Sequence, residues 1–420
     1  MTARGWGAAA IAAASLALPA CALRTLQRGL DVAQTQASVE GRVAVDGPAS
    51  HPIVVVAERA GAGGIADLFL LPRPGPFFLT LAPGTYRIAA FEDVERDLTY
   101  QPDADPAALW GPTGDLVLEA GERRRDVDLR IDPAAGVRIP FAVTALAADR
   151  AIDRLPSLQI GTIASLDDPR FAPDHGSVGL WDPLRFMFDV GGGVYFLEPY
   201  DPGKIPVLFV HGATGTPADW KYVVGKLDRT RFQPWFVYYP AAPHLDRIGD
   251  QIVRALSALL VRYRFTRIAL VAHSMGGLVT RAALNYVMAN AATGRQVDVP
   301  LFVTLSTPWG GHSGATLGLR YAPVVAPMWV DMAPGSAFLG ALPATPLPPE
   351  TEYDVFFGYR SDSRLSSEAN DGVVTVASEL PLSVQRQAKR VIGFDETHTS
   401  ILASSAVAEA LNEILARVAQ

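Results

Sequence analysis

A serine stands where an apolar strand turns into a helix, in the segment Ala272-His273-Ser274-Met275-Gly276-Gly277. Residues 267–272 are aliphatic and of strand length, and residues 278–288 follow with helical spacing. Small residues around Ser274 let a strained bend approach its neighbours closely, and such an elbow presents a serine hydroxyl as a nucleophile. The structural alternative is an ordinary turn in which the serine only caps the helix.

A second apolar strand, residues 206–210, ends in His211-Gly212-Ala213. A loop of this kind supplies fixed backbone N–H donors that stabilise the negative charge developing on a carbonyl oxygen under attack. We expect the donors to be the N–H groups of Ala213 and of Met275, the residue after the serine. His211 is expected to brace the loop through its imidazole.

A serine hydroxyl needs a base within hydrogen-bond reach. Of seven histidines, His398 is the best candidate, because it follows the apolar strand 390–394 in a polar loop before the C-terminal helix. His273 adjoins the serine, but its side chain is expected to point away from the nucleophile. The remaining histidines lie in other regions or turns: His51, His175, His211, His244 and His312.

The base needs an acid to orient it, and Asp371 is the sharpest candidate. It lies in a tight Asn-Asp-Gly turn that leads into a β-branched run. Asp-Gly is also a common turn dipeptide, but the order Ser274, Asp371, His398 is the chain order of a hydrolase built on a strand-to-helix elbow. The alternatives that stay open are Asp331, Asp354 and Asp362, whereas Asp395 and Glu396 lie too close to His398 in sequence.

Together with the Ser306-Thr307-Pro308 turn, these motifs resemble the serine lipases and esterases of the α/β-hydrolase superfamily, over about residues 190–420. The likeness is greatest to bacterial triacylglycerol lipases and to deacylases that process lipid anchors. The resemblance implies an α/β fold with a mostly parallel sheet and helices on both faces. It also implies Ser274, Asp371 and His398 as the triad, Ala213 and Met275 as oxyanion-hole donors, and no cofactor or metal.

The elements between the motifs agree with a catalytic domain over residues 191–420. Residues 245–263 carry apolar side chains on one helical face, and strands that alternate with such helices predict a parallel sheet covered on both sides. Residues 321–350 are rich in Pro, Ala and exposed-looking apolar groups. The wider segment 312–350 is therefore either a lid over the serine or a helical excursion packed on the sheet, and both favour a hydrophobic substrate.

The first residues have the pattern of an export signal. Arg4 precedes an uncharged apolar run that ends at Cys21, the only cysteine of the chain. Residues 1–21 resemble a lipoprotein signal peptide with Cys21 as the lipid-attachment site, although Pro19 is unusual there. We predict an exported lipoprotein on the outer membrane or periplasmic face. The alternatives are secretion after cleavage behind Ala22 and retention of the run as an anchor.

The sequence pattern of residues 37–132 is typical of short strands and turns, without helices. Apolar residues alternate strictly over 126–131, which is typical of a sheet with one solvated face. The run Pro83-Gly84-Thr85-Tyr86 resembles the turn of transthyretin-like or carboxypeptidase-regulatory β-sandwiches. We therefore predict a small all-β domain that serves as spacer and stabiliser, with partner or glycan binding as the alternative, and a connecting segment over residues 133–190.

The size and charge of the chain limit its number of domains and its class of partner. A chain of 420 residues supports two cores, and a net charge of −7 argues against nucleic acid as a partner. The basic run Arg123–Arg125 is best explained as a solvated turn. The sequence predicts a membrane-anchored serine ester hydrolase that acts on lipid or other apolar acyl esters. An acyltransferase with the same triad and a non-catalytic binding protein on a hydrolase scaffold remain the alternatives.

Overall fold

The computed structural model describes residues 20–61, 64–111, 115–145, 159–289, 297–361 and 368–418. The proposed signal peptide, apart from its last two residues, and the alternative acid Asp362 lie outside these ranges. After helix α1 (Ala20–Thr35) come nine short strands: β1 (Ala37–Val45), β2 (Ile53–Arg59), β3 (Ile65–Leu71), β4 (Gly75–Leu81), β5 (Gly84–Glu92), β6 (Ala107–Leu109), β7 (Asp115–Leu118), β8 (Arg123–Arg124) and β9 (Leu129–Ile131).

These nine strands form the N-terminal all-β domain in two sheets. The first sheet has the order β4-β1-β8, with β9 also paired to β1, and the second has the order β3-β2-β5-β6, with β7 also paired to β5. The inward side chains of both sheets share one core, which includes Val39, Phe77 and Ile88. The expected small β-sandwich is therefore present.

The C-terminal part is built on a single sheet of eight strands. Its strands are β10 (Gln159–Ile163), β11 (Gly193–Phe196), β12 (Ile205–Val210), β13 (Phe232–Tyr238), β14 (Arg267–His273), β15 (Asp298–Leu305), β16 (Glu352–Gly358) and β17 (Arg390–Phe394). Strand β10 lies within residues 133–190, so part of the segment expected to connect the domains belongs to this sheet.

The strand order is β10-β11-β13-β12-β14-β15-β16-β17. From β13 to β17 all neighbours are parallel, and β11 pairs antiparallel to β13. Parallel strands place their carboxyl ends at one edge of the sheet, where ligands bind in open α/β folds. This is the α/β-hydrolase fold that the sequence predicts.

Helices cover both faces of the sheet, as buried parallel strands require. They are α2 (Pro173–Trp181), α3 (Pro183–Arg185), α4 (Lys221–Lys226), α5 (Leu245–Tyr263), α6 (Met275–Ala289), α7 (Ser313–Tyr321), α8 (Pro327–Met332), α9 (Ala337–Ala341), α10 (Val376–Glu379), α11 (Leu382–Gln385) and α12 (Ser405–Val418). Helix α5 has the predicted bounds, and it buries the apolar face that its spacing indicates.

The two domains are joined by a buried ion pair. Arg254 of α5 donates to both carboxylate oxygens of Asp67 on β3, at 2.7 and 3.2 Å, and to the carbonyl oxygens of Leu68 and Phe78. The two side chains are 5% and 0% exposed. Removing one partner of such a pair costs about 3–5 kcal/mol. The all-β domain is therefore docked on the hydrolase domain, not loosely tethered to it.

The N-terminal helix packs against the hydrolase domain as well. Leu26 and Leu30 of α1 are buried, and Thr25 donates to the carbonyl oxygen of Trp181 at 3.3 Å. Cys21 is the second residue of this helix. No helix in the described part of the chain combines the length and the apolar character needed to cross a bilayer.

Candidate active site

The serine elbow joins β14 to α6 in a strained conformation. Ser274 has a φ of 54°, a left-handed value that few residues other than glycine adopt. A Cβ atom at Gly276 would lie 2.5 Å from the carbonyl oxygens of Val210 and His211, and one at Gly277 would lie 2.2 Å from Oγ1 of Thr307. Both positions therefore require glycine, and the elbow seats the start of α6 directly against the end of β12.

The His-Gly loop lies beside the serine. A Cβ atom at Gly212 would be 2.9 Å from Cβ and 3.3 Å from Oγ of Ser274. Ala213 is the residue after Gly212. Met275 is the first residue of α6, where backbone N–H groups lack partners within the helix and the helix dipole is positive. The residues predicted to donate to the oxyanion thus lie on the two segments that meet at Ser274.

The structure brings the three predicted triad residues into one hydrogen-bonded chain. Nε2 of His398 lies 2.9 Å from Oγ of Ser274, and Nδ1 of His398 lies 2.6 Å from Oδ2 of Asp371. A backbone hydrogen bond from the His398 N–H to the Asp371 carbonyl oxygen, at 2.8 Å, also joins the two loops. All three side chains are buried.

The environment of Asp371 keeps its carboxyl group ionised. Burial works to raise its pKa, but the hydrogen bond and charge of His398, together with the N–H of Val374, bring the pKa down to about 2. Oδ1 accepts from the N–H groups of Val373 and Val374, at 2.9 and 2.7 Å. An ionised Oδ2 accepts a hydrogen bond from the N–H group at Nδ1 of His398. Nε2 is then free to accept the proton of the Ser274 hydroxyl.

Three other histidines hold the loops of the site in place. His211 accepts from the N–H of Tyr239 through Nε2 at 3.3 Å and contacts the Gly212 carbonyl oxygen through Nδ1 at 2.7 Å. Nε2 of His273 lies 2.8 Å from the carbonyl oxygen of His398, and Nε2 of His312 lies 3.0 Å from that of Val373. Burial lowers the pKa of His211 to about 4 and that of His273 to about 3, so both are neutral donors at pH 7.

The role of His211 agrees with the expected brace, whereas the contributions of His273 and His312 were not foreseen. The side chain of His273 does avoid the serine hydroxyl, and it bonds the backbone of the general-base candidate instead. His312 caps the start of α7 by accepting a hydrogen bond from the N–H of Gly314, so it ties this helix to the Asp371 loop. Sequence position alone carries no signal for such contacts between distant loops.

The alternative acids within the described ranges are engaged elsewhere. Asp331 accepts from the N–H of Leu245 at 2.7 Å and lies 3.1 Å from Nδ1 of His244. Asp354 pairs with Arg390 at 2.6 Å. None of these hydrogen bonds involves Ser274 or His398, so the geometry favours Asp371.

The segment 312–350 is helical and partly anchored. It contains α7, α8 and α9, and its end is tied to α6 because Arg281 and Asn285 donate to the carbonyl oxygen of Leu342, at 3.3 and 2.9 Å. Several large apolar side chains of this segment are exposed. These large exposed residues, called here the α7–α8 patch, are Leu317, Leu319, Tyr321, Val325 and Val330.

Part of the chain is similar to a known protein family. Residues 203–339 match the family model described as "Putative serine esterase (DUF676)". This range includes the His-Gly loop and the serine elbow. Among curated proteins, no sequence matches the chain.

Several solved structures are similar to this chain. Mature lipase BlEst2 of Bacillus licheniformis has 19% identity and a TM-score of 0.41, over 54% of this chain and 98% of that protein. Phospholipase PlaB of Legionella pneumophila has 21% identity and a TM-score of 0.34, over 42% and 46%. Aspergillus fumigatus lipase B has 14% identity and a TM-score of 0.39, over 53% and 56%.

The family match and the strand-to-helix elbow on this sheet agree with each other, and the predicted resemblance to serine lipases and esterases is confirmed. The chain has the α/β-hydrolase fold, and its residues 203–339 are similar to a family of putative serine esterases.

Proposed function

We propose that this protein hydrolyses apolar carboxylic esters through an acyl-enzyme on Ser274. The proposal rests on the two hydrogen bonds of the triad. Oγ of Ser274 lies 2.9 Å from Nε2 of His398, and Nδ1 of His398 lies 2.6 Å from Oδ2 of Asp371. A weak nucleophile is activated by an oriented base in this arrangement. The contact favours catalysis over a non-catalytic role for the scaffold.

In the acylation step, Nε2 of His398 takes the hydroxyl proton while Oγ of Ser274 attacks the ester carbonyl carbon. The oxyanion accepts hydrogen bonds from the N–H groups of Ala213 and Met275, which need no rearrangement as charge develops. Asp371 holds the imidazolium in place without taking its proton. The intermediate collapses, His398 protonates the departing alcohol, and the acyl group stays on the serine.

In the deacylation step, water occupies the place that the alcohol has left. Nε2 of His398 removes a proton from this water, and the resulting hydroxide attacks the acyl carbonyl carbon. The same oxyanion donors act a second time. Return of the proton from His398 to Oγ of Ser274 releases the carboxylic acid and restores the enzyme.

The character of the segment 312–350 supports an apolar acyl group. The segment carries the α7–α8 patch on its exposed surface, and it buries Trp329 and Met332. Burying one methylene contributes about 0.8 kcal/mol, close to a fourfold gain in binding. A substrate whose acyl chain packs along this segment therefore gains with each added carbon.

We expect kcat/KM to rise by at least about tenfold between p-nitrophenyl acetate and the hexanoate ester, because four methylenes are added against apolar side chains. The measurement is initial rates with esters from two to sixteen carbons, using Ser274→Ala as the blank for hydrolysis that does not use the nucleophile. A preference for acetate over every longer ester would contradict the apolar substrate class. An ester series that wild type and the blank hydrolyse equally would contradict the esterase itself.

We further propose that Cys21 carries a lipid anchor and that the protein acts at a membrane surface. Helix α1, which begins beside Cys21, contacts Trp181 through Thr25. Trp181 packs edge-on against Trp329 of α8, with ring centroids 6.0 Å apart. The start of α1 and the helices of the α7–α8 patch are thus connected by direct packing, so an anchor at Cys21 would bring this patch toward the bilayer.

Expression in a bacterial host that processes lipoproteins tests the anchor. We expect the wild-type chain to incorporate labelled palmitate and to sediment with membranes, and Cys21→Ser to do neither. Esterase activity of the two proteins should be equal in detergent, because Cys21 is not part of the triad. Membrane association without palmitate label, or equal labelling of the variant, would contradict the lipid anchor and favour a retained apolar segment.

A further inference from the structure

The peptide unit between Gly212 and Ala213 determines where the N–H group of Ala213 points. A trans peptide unit is planar, so its carbonyl and N–H groups point in opposite directions. The Gly212 carbonyl oxygen lies 2.7 Å from Nδ1 of His211 and accepts from the N–H of Gly215 at 3.1 Å. Within the part of the chain that the structure describes, the N–H of Ala213 has no acceptor. The two contacts of the carbonyl therefore set the direction of the predicted oxyanion donor.

The imidazole of His211 makes its two contacts in only one tautomer. A backbone N–H can only donate, so Nε2 of His211 accepts from the N–H of Tyr239, at 3.3 Å. A carbonyl oxygen can only accept, so Nδ1 carries the hydrogen and donates to Gly212. Burial lowers the pKa of His211 to about 4, which keeps the ring neutral at pH 7. The backbone of Tyr239 thus fixes the tautomer that holds the Gly212 carbonyl.

The side chain of Tyr239 holds His211 in two further ways. Its hydroxyl donates to the His211 carbonyl oxygen at 2.5 Å, and its ring stacks on the imidazole, with ring centroids 4.2 Å apart and ring planes 10° apart. Both residues are buried, and burial raises the pKa of Tyr239, so the hydroxyl keeps its proton. Tyr239 comes directly after β13, an interior strand of the sheet, so the fold fixes the position of its backbone.

The same carbonyl oxygen of His211 also lies against the first turn of α6. A Cβ atom at Gly276 would be 2.5 Å from this oxygen, and Gly276 is two residues after Ser274. Tyr239 and α6 therefore hold the His-Gly loop against the element that carries the nucleophile.

We propose that Tyr239 is a positioning residue of the oxyanion hole, which acts through His211 to direct the N–H of Ala213 at the oxyanion. This inference rests on the proposed esterase function. Negative charge develops on the substrate oxygen only when Ser274 attacks, and donors that are already oriented stabilise it without rearrangement. Without the Tyr239 hydroxyl, part of this stabilisation is lost, because the loop no longer holds the donor in one direction. The loss falls on the transition state and not on ester binding.

Tyr239→Phe tests this role, because phenylalanine keeps the stacked ring and the backbone N–H and removes only the hydroxyl. Loss of one direct oxyanion donor costs about 10²- to 10³-fold in kcat. Since Tyr239 acts through another residue, we expect its variant to lower the limiting rate of acylation by about 10-fold and to leave the half-saturating ester concentration within about twofold. The measurement is single-turnover acylation by a p-nitrophenyl ester, which separates these two quantities.

Tyr238→Phe is the matched control. Tyr238 is also buried, its ring lies edge-on to that of His211 with centroids 5.4 Å apart, and its hydroxyl has no hydrogen-bond partner among the described residues. We expect this variant to keep the acylation rate within about twofold. Equal losses from the two variants, or an unchanged acylation rate in Tyr239→Phe, would overturn the proposal.

Inhibition by an alkyl trifluoromethyl ketone supplies a readout that a merely structural role would not move. Oγ of Ser274 adds to the ketone carbonyl carbon, its proton passes to Nε2 of His398, and the resulting oxyanion occupies the oxyanion hole. We expect the inhibition constant of Tyr239→Phe to rise by the same factor of about 10 by which its acylation rate falls. An inhibition constant equal to that of wild type would overturn the proposal, as would a rise in the half-saturating ester concentration at an unchanged limiting rate. Failure of the esterase itself is distinguishable, because wild type would then neither form the adduct nor release p-nitrophenol.

Discussion

Replacing Ser274 with alanine is expected to lower kcat for ester hydrolysis by about 10⁶-fold, because no acyl-enzyme forms without Oγ. The residual rate should still exceed the uncatalysed one by about 10³- to 10⁴-fold, since the oxyanion donors and the binding site remain. The measurement is steady-state and single-turnover kinetics with the best p-nitrophenyl ester of the chain-length series.

The controls for this result concern folding and specificity. Ser257→Ala removes another buried serine, on α5, and should keep kcat within about twofold. Because Ser274 has a φ of 54°, glycine also suits the position, so Ser274→Gly provides a second variant if the alanine form is unstable. A Ser274→Ala enzyme with more than about 1% of wild-type kcat and native thermal stability would contradict the assignment of the nucleophile.

Replacing His398 with alanine should reduce kcat by a similar factor of about 10⁶, because the serine then has no base. The double variant Ser274→Ala/His398→Ala should be no slower than either single variant, since the two side chains act as a unit. Non-additivity of this size identifies residues of one catalytic array. It would not arise from two independent structural defects.

His244→Ala is the matched control for this second prediction. His244 also pairs with an aspartate, Asp331, at 3.1 Å, but its hydrogen bonds do not involve Ser274. We expect this variant to keep kcat within about threefold and to lose some stability with its half-buried ion pair. Equal losses at His244 and His398, or independent additive losses at Ser274 and His398, would contradict the proposed triad.

Much of the fold could be predicted because pattern and packing agree. Helix α5 has a continuous apolar stripe, and its predicted bounds are those of the structure. The residue types around Ser274 predict the elbow, because Gly276 and Gly277 each lie against atoms that a side chain would overlap. The candidates Ser274, Asp371 and His398 followed from chain order and strand ends, which a parallel sheet brings to one edge.

Two strands lack clear local signals in the sequence. Strand β4 begins with Gly75-Pro76, and proline argues against a strand unless it lies at a sheet edge, where β4 is found. Strand β10 contains Gly161 and has no buried alternation. Its place in the sheet comes from pairing with β11, a tertiary contact that periodicity does not report.

The support around the site was also beyond sequence reasoning. Tyr239 occupies an ordinary position after a buried strand, and only the fold places its ring against His211. Likewise, His273 acquires its role from the His398 loop, which lies far away in the chain. Side-chain contacts of this kind depend on the tertiary fold, so they follow from the structure alone.

The most direct test of the account is to treat the purified protein with a fluorophosphonate probe and map the adduct by mass spectrometry. An activated serine reacts with such a probe, whereas unactivated serines do not. We predict one adduct per chain, located on Ser274, and its loss in both Ser274→Ala and His398→Ala. A folded wild-type protein that stays unlabelled, or that is labelled at another serine while Ser274→Ala retains the adduct, would contradict the account.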